Sequence, residues 1–125
     1  MRRFLATAAV MAFTVAGATA CGDDEEGGGG ADCSSDAAPK LVKVRFADGK
    51  VTPNGDRVAV EKCQEVQFIV AADEEGEIHI HSDPEHELEY GEGEEEFPPL
   101  KFDRPGVITV ESHDLEQVIV QLEVE

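Results

Sequence analysis

Gln117-Val118-Ile119-Val120-Gln121-Leu122-Glu123-Val124, close to the end of the chain, decides the fold class. Val118, Val120, Leu122 and Val124 alternate with Gln117, Gln121 and Glu123, and a period of two puts one set in a core and the other in water. Working backwards, Val107 to Ser112 reads as another strand, opened by Arg104-Pro105-Gly106, and Leu100 and Phe102 follow the breakers Pro98 and Pro99. Glu77 to Ser82 alternates again, with Ile78 and Ile80 on one face. Val66 to Ala72 is almost continuously apolar, which predicts a central strand covered on both sides. Val58 and Val60 form a shorter alternation, and Val42, Val44 and Phe46 alternate with Lys43 and Arg45. Asp48-Gly49 and Pro53-Asn54-Gly55 are turn signals between them. Beyond the first 20 residues no window has the helical period. Six or seven short strands separated by turn signals predict an all-β protein, a β-sandwich.

The first 20 residues read differently. Arg2 and Arg3 form a positive head, and Phe4 to Ala20 is uncharged and rich in Ala, Val, Phe and Met. The stretch ends at once in Gly22-Asp23-Asp24-Glu25-Glu26 and is short for a membrane span, so 1–20 reads as a removable signal peptide and the protein as exported. Ala18-Thr19-Ala20-Cys21 resembles a bacterial lipobox, which would make Cys21 the lipidated N-terminus and anchor the chain to the outer face of the cell membrane. The same residues also fit cleavage after small-x-small, which would release a secreted protein. Residues 21–39, with Gly27-Gly28-Gly29-Gly30, acidic residues, Ser34, Ser35 and Pro39, read as a flexible acidic tether, and 40–125 as one folded domain.

Charge narrows the function. Ten Lys/Arg against 28 Asp/Glu give −18, and loss of Arg2 and Arg3 leaves 8 − 28 = −20. A surface this acidic repels phosphate backbones, which excludes nucleic acid as a partner, and it disfavours docking on anionic head groups. With Cys21 lipidated, Cys33 and Cys63 remain to pair as a disulfide in an oxidising compartment; two free thiols are the alternative.

Two motifs carry a family resemblance. His79-Ile80-His81-Ser82-Asp83, and Arg104-Pro105-Gly106-Val107-Ile108-Thr109-Val110-Glu111-Ser112-His113, resemble bacterial cupredoxin-like proteins. Gly49-Lys50-Val51-Thr52-Pro53-Asn54-Gly55 is similar to the same group, and the resemblance spans Leu41 to Glu125. It implies a Greek-key β-sandwich of the cupredoxin type. It also implies where a blue-copper Cys ligand would stand, and that place holds Ser112. No Met follows, since Met1 and Met11 lie in the signal, and Cys33 and Cys63 both precede the His-x-His pair. A blue-copper centre is therefore excluded, and what remains is the scaffold with histidines.

His79 and His81, two apart on a strand, share a face and can share a metal ion. The bland alternative is a pair of solvated polar residues. His113 joins them by the resemblance, at the strand end from which the family's ligands come. Asp83 and Glu85, the nearest carboxylates in sequence, are expected as extra ligands that could complete the coordination, as is His86, which lies in the acidic run with Glu87, Glu89, Glu92, Glu94, Glu95 and Glu96. That run reads as a solvated loop, or as a mobile flap that concentrates divalent cations. No nucleophile–base set and no phosphate-cradling loop are present, so an enzyme is not expected. The leading expectation is an exported, lipid-anchored metal-binding module, with Cu(II) first and zinc or nickel as alternatives, used for capture or delivery. A metal-free module that binds another envelope protein is the competing expectation. Iron handling beside an uptake system is a third, by analogy alone.

Overall fold

The computed structural model describes residues 33–125. The expected signal peptide, Cys21 and its expected lipid, and the tether as far as residue 32 lie outside the described residues. Nine strands follow in order: β1 (Lys40–Ala47), β2 (Lys50–Thr52), β3 (Asp56–Val60), β4 (Val66–Ala72), β5 (Gly76–Ile80), β6 (His86–Tyr90), β7 (Gly93–Glu96), β8 (Gly106–Ser112) and β9 (Gln117–Val124). They form a four-stranded sheet ordered β2-β1-β4-β7 and a five-stranded sheet ordered β3-β9-β8-β5-β6. Two parallel pairings, β1 with β4 and β3 with β9, join strands distant in sequence, as an all-β sandwich with crossovers requires.

Local chemistry explains most of the frame. Asp48 and Gly49 both take positive φ, 53° and 68°, and make the two-residue turn that pairs Ala47 with Lys50. Val42, Val44 and Phe46 of β1 and Val66, Phe68 and Val70 of β4 point inward from the four-stranded sheet. Ile78 and Ile80 of β5, Ile108 and Val110 of β8 and Leu122 of β9 meet them from the other. Burying each such side chain contributes about 1.5–3 kcal/mol against the chain's ordering entropy. Phe46 and Tyr90 stack across the core with centroids 4.7 Å apart.

Three details differ from the sequence expectation. The 83–96 run is not one long loop, because it holds β6 and β7. Leu88 and Tyr90 anchor β6 in the core, while β7 is exposed at every position and is held by its pairing with β4. Leu100 and Phe102 make no strand: Leu100 forms a single bridge to Val66, and Phe102 is buried beside it in sequence. β4 has one core face only, with Gln67, Ile69 and Ala71 half-buried on the other.

The deciding strand carries its own irregularity. Val110 pairs with Val120, but Glu111 pairs with Val118, so Ile119 is the extra residue of a bulge. Ile119 and Val120 are consequently both fully buried, and the phase reverses before them. At the start of the domain, Cys33 and Cys63 are bridged, with Cα atoms 5.1 Å apart. Gln64, itself buried, donates to the Ala38 carbonyl at 2.6 Å and accepts from the Glu61 N–H at 2.9 Å. Residues 33–39 are thereby tied to the sandwich.

Candidate metal centre

The site is a consequence of strand register. β5 and β8 run antiparallel with Ile78 opposite Ser112, His79 opposite Glu111 and Ile80 opposite Val110. The His113 N–H donates to the Glu77 carbonyl at 3.0 Å, which continues the ladder by one residue. Each strand therefore contributes a Glu-x-His unit, Glu77-Ile78-His79 and Glu111-Ser112-His113, and the two are laid head to tail. Ile78 and Ser112 are fully buried, so the flanking residues must project from the outer face of the five-stranded sheet.

Glu77, His79 and His113 converge there. Each offers one ligand atom, and these atoms lie within 4.8 Å of one another. The His79 and His113 rings stack with centroids 4.8 Å apart and planes 17° from parallel. His79 Nε2 is hydrogen-bonded to Glu77 Oε1, and Glu87 Oε1 of β6 stands 3.9 Å from the same nitrogen. The His79 and Glu77 side chains keep 24% and 26% of their surface, so the group is shielded laterally but open to solvent above the sheet.

His81 shares this face yet stands apart, its ring centroid 6.3 Å from that of His79. Its Nε2 lies 2.8 Å from Glu111 Oε1 and its Nδ1 3.2 Å from Glu85 Oε1. Both nitrogens donate to carboxylates only in the imidazolium. These hydrogen bonds, to Glu111 first and Glu85 second, hold its pKa above the ordinary 6.5.

The other expected ligands go elsewhere. Asp83 pairs with Arg104 at 2.5 Å, and Glu85 serves His81. His86 opens β6 in the phase of Leu88 and Tyr90, and lines a cavity of about 580 Å³ between the β5–β6 loop and residues 101–108. It belongs to an ordered strand, not to a mobile flap. Sequence reasoning missed Glu77 and Glu111. The signal was present in the repeated Glu-x-His spacing, but only the register shows that the two units meet.

The fold is that of the cupredoxins. The chain superposes on a multi-copper oxidase from Pediococcus acidilactici with a TM-score of 0.52 and 14% identity, over 78% of this chain. It spans 28% of that oxidase's length. Reduced amicyanin variants align with TM-scores of 0.38 and 0.39 at 16% identity, over 74% of this chain and 86% of theirs. No protein-family model matches the chain, and no curated protein matches it.

A blue-copper centre does not fit these residues. Ser112, in the expected thiolate place, is fully buried and accepts the Leu115 N–H at 3.2 Å, which closes the β8–β9 turn. His79, His81 and His113 lie on the opposite side of the sheet from it. An imidazole and carboxylate site on the outer face is what the donor set does fit.

Proposed function

We propose that the protein binds one divalent metal ion on the outer face of its five-stranded sheet, through His79, His113 and Glu77. The convergence of those three donors within 4.8 Å carries the reading. Two imidazoles and a carboxylate suit Cu(II), Zn(II) or Ni(II), and affinity for copper is the highest of the three. Each imidazole must turn an unprotonated nitrogen to the metal and Glu77 its carboxylate, so metal entry replaces the His79–Glu77 hydrogen bond.

The role we assign is capture or delivery of the metal outside the cytoplasm, without catalysis, by a chain held to the membrane through a lipid on Cys21. The charged head and apolar stretch before Cys21 support export. The Cys33–Cys63 bridge is compatible with an oxidising compartment. One observation favours the competing reading of a metal-free interaction module: His79 and His81 are already hydrogen-bonded to carboxylates.

A titration of the metal-free protein with Cu(II) separates the two. Uptake of one equivalent, with a tetragonal nitrogen/oxygen paramagnetic resonance spectrum and no intense blue colour, is the expected result. Absence of copper, zinc and nickel binding at micromolar protein and neutral pH would leave the interaction module as the better account.

A further inference from the structure

The donors of the metal centre all come from one side. Glu77 and His79 on β5, and His113 just beyond β8, project from the same outer face, and every strand among the described residues belongs to one of the two sheets. Among the described residues no third layer covers the site. Three protein donors leave at least one position of a four-coordinate ion open, and here that position faces solvent.

The surroundings of that position are strongly anionic. Glu87 lies 3.9 Å from His79, Glu89 is paired with Glu77 across β5 and β6, and Glu111 is paired with His79 across β5 and β8. Glu77 itself adds a further negative charge, and because Glu111 is hydrogen-bonded to the His81 imidazolium, it is Glu77, Glu87 and Glu89 that outweigh a divalent ion. An anionic incoming ligand meets repulsion over this surface, whereas a neutral nitrogen donor does not. A second copy of the chain would bring the same acidic face and be repelled.

Resting on the metal-binding reading above, we infer that the open position is completed by a histidine imidazole from a partner protein with a basic rim. The carboxylates around the site act as the selectivity filter, admitting neutral imidazole and cationic surfaces and rejecting anionic donors. In this arrangement the metal is shared between two proteins at the moment of transfer, and the acidic face steers the encounter.

The test uses imidazole and acetate as probes on the protein loaded with one equivalent of Cu(II), read by visible absorption and paramagnetic resonance. Imidazole should shift both spectra while copper stays on the protein through gel filtration, and acetate should bind weakly. The double variant Glu87→Gln/Glu89→Gln should take up acetate about tenfold more tightly, with little change for imidazole. Equal acetate affinity in the two proteins would overturn the filter. Unchanged spectra with imidazole, or copper stripped from the protein by it, would overturn the open position while leaving the metal site standing. Failure to load copper at all would overturn the metal-binding reading itself, and this inference with it.

Discussion

His79 and His113 stack face to face, 4.8 Å between centroids, although they come from different strands and Ser112, inside the second Glu-x-His unit, is sealed in the core. The stack is built by register, because antiparallel pairing sets the His of each unit against the Glu of the other and brings the two rings together on the diagonal. The ligand ranking follows from this. His79→Ala or His113→Ala should lower Cu(II) affinity by more than about 100-fold, beyond what outer-shell partners typically cost. His81→Ala should cost about tenfold or less, since its nitrogens are turned to Glu85 and Glu111. Competition against a copper chelator measures all three. Equal losses from the three variants would mean that copper is held diffusely by the acidic face.

Much of the frame was legible because burial writes itself into strand period. Val42, Val44 and Phe46, or Ile78 and Ile80, can be read inward from sequence alone, and Asp48-Gly49 announces its turn. β6 was not legible, since its buried residues, Leu88 and Tyr90, are too few to outweigh the glutamates between them. β7 has no buried residue, and only its hydrogen bonds to β4 make it a strand. The site was half legible for a related reason. Placing His79 and His81 on one face needs only the period of two. Separating them into a convergent group and an ion-paired imidazole needs Glu111, which arrives from another strand.

Gly76 is required by a close approach. A Cβ there would lie 2.7 Å from Cζ of Tyr90 and 2.6 Å from Oδ2 of Asp114, the carboxylate that accepts the Glu77 N–H at 3.0 Å. Gly76→Ala should therefore destabilise the fold by about 1–3 kcal/mol, the range for overpacking. Gly91→Ala, with nothing within 4 Å of its Cβ, should be neutral or slightly stabilising. Denaturant melts of the two variants give the comparison, and equal midpoints would remove the steric argument.

The pKa of His81, raised above 6.5 by Glu111 and then Glu85, has a definite sign for stability. The folded protein holds this proton more tightly than the unfolded chain. The resulting stabilisation is complete below 6.5 and is lost as pH rises through the folded pKa. The side chain is 40% exposed, so solvent screening keeps the effect small, and the titration itself is the better readout. Proton magnetic resonance of the metal-free protein should show His81 titrating above 6.5, and Glu111→Gln should bring it back towards that value. A midpoint unmoved by Glu111→Gln would mean that the 2.8 Å contact does not govern the ring.

Tyr90 offers the cleanest measurement, because it is the single tyrosine of the chain. Its ring lies against Phe46 with planes 16° from parallel, only 6% exposed, and burial pushes its phenol from 10.0 up to about 12, with the charges of Asp114 and Asp73 adding to the shift. The neutral phenol is the form the fold accepts. The unfolded chain begins to ionise at 10, so stability is complete below that pH and falls as pH rises towards 12. Phenolate absorbance should accordingly lag a free-tyrosine titration, with its midpoint near 12 in the folded protein and near 10 in denaturant. Asp114→Asn separates the two causes. The amide oxygen can still accept the Glu77 N–H while the charge is gone, so the midpoint should fall part of the way and remain above 10, because burial is the larger cause. A full return to 10 in that variant would make the Asp114 charge the controlling cause and would contradict the packing of Tyr90 between the two sheets.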